Sequence, residues 1–260
     1  MNQNLADFKA EFVFDPKKER QVGVEREIFL VDPMNDRLTP RAEDMLRILA
    51  PDGDYSRFSY EPSACQVEMK TAPCFTEELA KELRMLEDRM DDALFTLQLR
   101  ACYTPVAPAN MPMDLYPDPT GRYQSRFNYM TDEARLAAFR IIATNVHVGM
   151  PDHETALRVY NKLIGDLPYL LEMGDTSEGK RLEIYKSVTA DWKPVPFADW
   201  GELHRYALEH DFAHDPRSWW SLVRISRHGT IELRTLDATH SLNKVILWAR
   251  SFHALCIGSM

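Results

Sequence analysis

No apolar run in this sequence approaches the roughly 20 residues needed to cross a bilayer, and Met1 to Lys9 carry no basic-then-apolar leader pattern. Positive charge is in short supply. Thirty-one Lys and Arg stand against 40 Asp and Glu, a formal charge of −9. That argues against a nucleic-acid partner, because a phosphate backbone calls for a basic surface. Nucleotides remain admissible, since a divalent cation can carry the attraction. The four cysteines, Cys65, Cys74, Cys102 and Cys256, form no CxxC pair and no zinc spacing. Free thiols of this kind suit a reducing cytoplasm, the expected location, and read as core or boundary residues. There is no glycine-rich phosphate loop and no G-x-S-x-G elbow. Asp211 stands where an HExxH motif between His210 and His214 would need glutamate. Internal repeats and low-complexity tracts are also missing.

What remains is ordinary for a folded globular chain. The 260 residues are 45% hydrophobic and 27% charged, enough to bury a core without disulfides. Val22–Val31 reads as a strand. Thr76 is placed to cap a helix running to about Arg100, whose Leu79, Leu83, Leu86, Met90, Leu94 and Leu97 form one apolar stripe. Thr104–Pro119 holds five prolines and reads as a loop. Thr131 opens a helix ending near Ile142, Thr144–Met150 reads as a strand, and Asp152 caps a helix to about Ile164. Trp219–Ile225 and Thr230–Leu236 read as strands around His228-Gly229, and Leu242–Ile257 as a last helix. Strands and helices mix without regular βαβ alternation, so the expected class is α+β with an antiparallel sheet. No linker is evident, so residues 1–260 are expected to form one domain.

The strands share a pattern on their polar faces. Alternate strand residues point the same way, so Glu25 and Glu27 share a face, as do Asn145 and His147, and Glu232 and Arg234. Glu68 sits on the polar side of Gln66–Lys70, and Glu61 lies seven residues earlier beside Pro62. A three-residue loop, Arg227-His228-Gly229, would put Gly229 in the left-handed region and pair Arg224 with Glu232; a two-residue loop would turn Arg224 to the other face. One such strand is what a solvated sheet face would show. Four or five, with glutamates at their centres, point to a pocket.

If those faces meet, Glu25, Glu27, Glu61, Glu68 and Glu232 bring five carboxylates together. Two unit charges ~4 Å apart cost about 4 kcal/mol at an effective dielectric near 20. Several such pairs rival a domain's whole stability of about 5–15 kcal/mol. Something cationic must offset them, and oxygen ligands favour Mg²⁺, Mn²⁺ or Ca²⁺ over zinc. A shallow site with several Mg²⁺ ions usually completes its coordination with phosphate oxygens.

Gly23-Val24-Glu25-Arg26-Glu27 with Leu30-Val31-Asp32 resembles the first motif of the glutamate–cysteine ligase-like carboxylate–amine ligases. Glu61 with Glu68 resembles their second acidic element. Asn145-Val146-His147-Val148-Gly149 resembles a strand usually written HVHVG, here with Asn145 for the first histidine. Trp219–Arg224 followed by Gly229–Arg234 resembles their C-terminal hairpin, and Arg122-Tyr123 a further pair. The motifs occur in family order over Val22–Asp237. The resemblance implies a glutamine synthetase-like half-barrel, an antiparallel curved sheet with helices on its outer face. It implies an ATP- and Mg²⁺-dependent ligase that activates a carboxylate, typically the γ-carboxylate of glutamate, and transfers it to an amine such as cysteine. Position by position it implies Glu25, Glu27, Glu61, Glu68, His147 and Glu232 as metal ligands. Arg224 and Arg234 fall at phosphate or substrate, with Glu232 among the catalytic groups and His147 as an alternative phosphate contact; Arg122 and Tyr123 fall at substrate. The segment after Pro168, Tyr169–Gly179, is shorter and more polar than in many members, and Asp175–Lys180 is a candidate lid. Partners are small carboxylates and amines, with a homo-oligomer left open. Rival readings are a phosphotransferase that stops before ligation, a non-catalytic nucleotide- and metal-binding module, and a dinuclear metallohydrolase, for which five glutamates and one histidine are an unusual ligand set.

Overall fold

Alternating apolar and polar residues build the strands, and the apolar halves decide which side is covered. The computed structural model describes residues 3–260. Its strands are β1 (Val22–Asp32), β2 (Arg37–Leu38), β3 (Phe58–Tyr60), β4 (Gln66–Lys70), β5 (Arg100–Cys102), β6 (Ala143–Gly149), β7 (Val223–Ile225) and β8 (Thr230–Asp237). Its helices are α1 (Leu5–Ala10), α2 (Ala42–Leu49), α3 (Leu79–Leu97), α4 (Arg122–Phe127), α5 (Asp132–Phe139), α6 (His153–Gly165), α7 (Leu167–Met173), α8 (Lys180–Val188), α9 (Trp200–Glu209) and α10 (Leu242–Ile257). The strands form one open antiparallel sheet in the order β3-β4-β1-β6-β8-β7, with β2 and β5 pairing the far end of β1. This is the α+β, antiparallel architecture expected from the sequence.

One face of the sheet carries Val22, Val24, Val146, Val148, Ile231 and Leu233 into a core shared with Tyr160, Leu163, Leu203, Trp248 and Phe252 of α6, α9 and α10. Ile28, Leu30, Val67 and Met69 continue that face into a second cluster under α2 and α3, built on Leu86 and Met90 of the α3 stripe. Arg26, the charge at the middle of this face of β1, is 2% exposed. It is ion-paired with Glu87, donates to the Thr239 carbonyl at 2.8 Å, and lies over the Tyr103 ring. On the opposite face the Glu25, Glu27 row of β1 turns apolar at Phe29, which packs with Cys65, Met111, Phe127, Phe139 and Ile142. That cluster closes one end of the polar face.

The hairpin follows the three-residue register. Arg224 pairs with Glu232, the Ser226 N–H bonds the Thr230 carbonyl at 2.8 Å, and Gly229 has φ +68°. A Cβ at Gly229 would sit 2.4 Å from the Val13 carbonyl oxygen, so only glycine fits. Between β6 and β8 the register slips at Asn145: Thr144 faces Leu236 while Val146 faces Leu233. Arg234 and Thr235 therefore oppose the single residue Asn145, a bulge of the kind that re-aims side chains beside a site.

Several local expectations are corrected. Thr76 caps nothing; α3 begins at Leu79 after Glu78, without a side-chain cap. The helix opened by Thr131 stops at Phe139, and its Thr131 cap holds, as does Asp152 on α6. The strand before the hairpin starts only at Val223; residues 219–222 stay irregular after a 3₁₀ turn over Pro216–Ser218 that Asp215 caps, and the Leu222 N–H bonds the Trp192 carbonyl at 2.9 Å. The segment after Pro168 continues in α7, and Asp175–Lys180 is tethered rather than free. The Thr176 N–H bonds Asp237 Oδ2 at 2.8 Å, and Asp175 Oδ1 accepts the Ser177 and Gly179 N–H groups. Next in sequence, Arg181 is buried and paired with Asp237 at 2.6 Å. A lid held this way would have to break a buried ion pair to move. The cysteines are unpaired, and three of the four are buried. No described helix is long and apolar enough to cross a membrane.

Candidate active site

Strand alternation and register carry the glutamates together. Glu27 pairs with Glu68 across β1 and β4, Glu25 with Asn145 across β1 and β6, and His147 with Glu232 across β6 and β8. Glu61 joins from the turn after β3. The result is two adjacent three-residue groups, Glu25–His147–Glu232 and Glu27–Glu61–Glu68. Each can offer ligand atoms that all lie within 4.8 Å of one another. Glu25, Glu27, Glu61 and Glu68 line a cleft of about 320 Å³ together with Arg122, Tyr123, Arg126, Arg217, Trp220, Arg224 and Arg234, and Glu232 is buried against the last two arginines. A second hollow of about 240 Å³ opens on the other side of Glu25 and His147, lined by Lys18, Gln21, Lys70 and His228.

The two groups differ in how their charge is offset. Glu232 is 1% exposed and gripped by two guanidiniums. Arg224 makes a two-point contact, Nε to Oε2 at 2.7 Å and Nη2 to Oε1 at 3.1 Å, and Arg234 bonds Oε1. Burial opposes ionisation of Glu232, but the two arginines hold its carboxyl well below the usual range. Burial also pushes Glu25 up, yet His147, with Nε2 3.4 Å from Glu25 Oε2, outweighs it and holds that carboxyl at about 2. Glu27, Glu61 and Glu68 go the other way. Burial lifts Glu27 to about 7 and, with Glu25 beside it, Glu68 to about 8. Burial and the Glu68 charge put Glu61 well above the usual carboxylate range. Lys70, 3.4 Å from Glu68 Oε2, and the Ser59 hydroxyl at 2.8 Å offset part of this. Glu27 and Glu61 form no ion pair among the described residues, and Glu27 takes only the Ala143 N–H at 2.8 Å and the distant Asn145 amide. The shortage of positive charge that the sequence implied is thus local to this group.

Both groups fit divalent cations. The Nδ1 of His147 is 2.9 Å from the Thr230 hydroxyl, which fixes the ring and turns a buried Nε2 toward Glu25 with no well-formed hydrogen bond. A histidine steadied through one nitrogen and left open at the other is the usual arrangement of a metal ligand. Burial lowers the affinity of His147 for a proton, but Glu25 and Glu232 raise it further, so a bound cation would displace that proton. Glu232 keeps a limited share for a metal, because its oxygens already accept three N–H groups.

Of the site residues read from the sequence, Glu25, Glu27, Glu61, Glu68, Arg122, Tyr123, Arg224 and Arg234 line this cleft, His147 lines the second hollow, and Glu232 is buried between its two arginines. Arg122 reaches toward Asp215 at 3.9 Å and Tyr123 donates toward the Tyr60 carbonyl at 3.5 Å, so both line the wall without yet touching the acidic groups. The tryptophan pair divides: Trp219 is core at 1% exposure, while Trp220 lines the cleft with a buried Nε1 that meets no acceptor. Arg126 was missed. Its guanidinium lies 4.4 Å from the Trp220 ring centre and makes no ion pair among the described residues. Its spacing of four from Arg122, on what proves to be α4, was the available signal. Lys70, on the same face as Glu68, was missed too, as were Arg181 and Tyr185, which wall the cleft's inner extension beside Glu27 and Glu61.

Comparison with known proteins gives the family and the fold. Residues 21–257 match the model of glutamate-cysteine ligase family 2. A Rubrobacter xylanophilus protein provisionally named glutamate–cysteine ligase 2-1 is 29% identical over 88% of this chain and 64% of its own length. A Gloeobacter violaceus protein provisionally named glutamate–cysteine ligase 2 is 26% identical over 86% of this chain and 64% of its own. The chain therefore spans just under two thirds of these relatives. The crystal structure of a bifunctional glutathione synthetase from Pasteurella multocida superposes with TM-score 0.62 at 12% identity, over 92% of this chain and 38% of that one. Apo GmaS superposes with TM-score 0.51 at 15% identity, over 98% and 56%. Both share the fold.

Proposed function

The chain belongs to glutamate-cysteine ligase family 2, and from that premise we propose that it is an ATP- and Mg²⁺-dependent carboxylate–amine ligase acting on the γ-carboxylate of glutamate or a related acid. One observation carries the reading. Two three-ligand groups stand side by side, with Arg224 and Arg234 on the adjoining strands and Arg122, Arg126 and Arg217 lining the same cleft. Phosphoryl transfer to a carboxylate needs charge neutralisation and alignment more than a reactive side chain, and this cleft supplies both. Bound Mg²⁺ would neutralise phosphate and carboxylate oxygens brought together there.

The chain's own residues have separable tasks in this proposal. Glu25, His147 and Glu232 hold one cation, and Glu27, Glu61 and Glu68 hold another. Arg234, fixed by Glu232, presents its remaining Nη hydrogens to a transferring phosphoryl group, and Arg224, whose Nη1 already donates to the Trp219 and Arg217 carbonyls, adds its one remaining N–H. Arg122, Arg126 and Tyr123 receive the acid, with Trp220 holding the Arg126 guanidinium flat. The hollow beyond His147 leaves room for the nucleotide on the far side of the metal groups. A cytoplasmic location suits the thiols and the substrates.

A coupled assay of ADP release with Mg²⁺, ATP, glutamate and a panel of amines, cysteine first, tests the proposal. ADP formation that requires both acid and amine is the expected outcome. Acid-dependent ADP release indifferent to every amine would mark a phosphotransferase, and tight ATP binding without turnover a binding module. Ester hydrolysis without ATP would mark a hydrolase. Any of these ends the ligase reading.

A further inference from the structure

Asn145 stands where the two acidic groups meet, and its amide is half satisfied. It is 2% exposed, at the centre of β6, opposite the β8 bulge. Its Nδ2 lies 3.4 Å from Glu25 Oε2 and 3.5 Å from Glu27 Oε1, one carboxylate from each group. Its Oδ1 is buried and meets no donor among the described residues, although the side chain lines the cleft beside Glu27 and Glu61. Turning the amide over would point the oxygen at two carboxylates and only worsen the match. A buried amide oxygen without a donor is costly to keep, unless something electropositive completes it.

The groups on either side are chemically unlike. Glu25–His147–Glu232 contains an imidazole nitrogen, whereas Glu27–Glu61–Glu68 offers oxygen alone. Imidazole opens a site to transition ions; carboxylate and amide oxygens suit Mg²⁺. We propose that Asn145 keeps the two cation sites distinct, lending its amide oxygen as a neutral fourth ligand to the Glu27–Glu61–Glu68 site, while its Nδ2 makes only long contacts to Glu25 and Glu27. An imidazole at this position would give both sites a nitrogen and erase the difference. The inference rests on the reading that these groups hold divalent ions. Its test uses metals alone, so neither ATP nor a substrate enters.

Mg²⁺ and Co²⁺ are titrated by calorimetry into chelator-treated protein, with Co²⁺ absorption reporting nitrogen ligation. Two sites are expected in the unaltered protein, one of which prefers Co²⁺ and loses it in His147→Ala. Asn145→Ala should weaken Mg²⁺ at the other site at least tenfold and leave the first unchanged, and Asn145→Asp, which keeps the oxygen, should restore Mg²⁺ there. Asn145→His should raise the Co²⁺-to-Mg²⁺ affinity ratio of the second site at least tenfold, with new Co²⁺ absorption. The unchanged first site is the control that each variant is folded. Mg²⁺ affinities in Asn145→Ala and Asn145→His within twofold of the parent would overturn the inference and leave the ligase reading standing. A folded parent that binds no divalent ion would overturn both.

Discussion

Replacing Glu27 by Gln should make the metal-free protein more stable at pH 8 while destroying its response to Mg²⁺. Burial lifts the Glu27 carboxyl from its ordinary 4.5 to about 7. Between those values the folded chain holds a proton that the unfolded chain has released, so folding becomes less favourable as pH rises through the window. Above pH 7 the penalty is fully developed, and a shift of this size corresponds to about 3 kcal/mol. Glutamine keeps the shape and an oxygen for the Ala143 N–H but never ionises. In EDTA at pH 8 Glu27→Gln should therefore unfold about 5–10 °C higher, at about 2–4 °C per kcal/mol for a chain of this size. At pH 5.5, where the wild-type carboxyl is protonated in the fold, most of the gain should vanish. Adding Mg²⁺ with ATP should raise the melting temperature of the wild type and leave the variant nearly unmoved. Differential scanning fluorimetry over pH 5–8.5 in EDTA, and then in Mg²⁺–ATP, reads all of this. A variant less stable than wild type at pH 8, or a difference that does not depend on pH, would refute the claim that Glu27 is a buried carboxylate short of positive charge.

Glu232→Gln should behave in the opposite sense. It leaves Arg224 and Arg234 without their shared anion, which costs about 3–5 kcal/mol for a buried pair; an unchanged urea midpoint at pH 7 would show that the arginines find other partners. Because the arginines depress the Glu232 carboxyl, its contribution to wild-type stability is complete above about pH 4.5 and is lost only as pH falls well below that. Mg²⁺ and ATP together should raise the melting temperature beyond the sum of their separate effects, because the acidic groups and the phosphates share the cations; simple additivity in the same scan counts against a shared site. Arg126→Met should raise KM for the acid about 10–100-fold, the range for a charged hydrogen bond, with KM for ATP unchanged; an equal rise in both would place Arg126 at the nucleotide instead.

Much of the site was legible because strand geometry is local. Alternation alone put Glu25 with Glu27, Asn145 with His147 and Glu232 with Arg234, and left Arg26 on the apolar side, where it is buried against Glu87. Gly229 fixed the hairpin register through its positive φ, and with it the Arg224–Glu232 contact. What lacked a local rule was misread or missed. The irregular stretch that shortens β7 bonds the distant Trp192 carbonyl, and α8 carries a weak apolar stripe beside a polar residue that the sheet pairs, Arg181 with Asp237.

The sequence by itself determined which residues share a face, because a two-residue period needs no knowledge of distant segments. It also implied that gathered glutamates would repel one another unless their charge is offset. Only the tertiary structure decided which glutamates are left without an offset. Arg224, Arg234 and His147 already answer Glu232 and Glu25, while Glu61 and Glu68 share little beyond Lys70 and Glu27 feels the charges of Arg234 and Arg181 without pairing with either. Neutralisation acts over a few ångströms between strands far apart in the chain, so no pattern along the sequence could assign it.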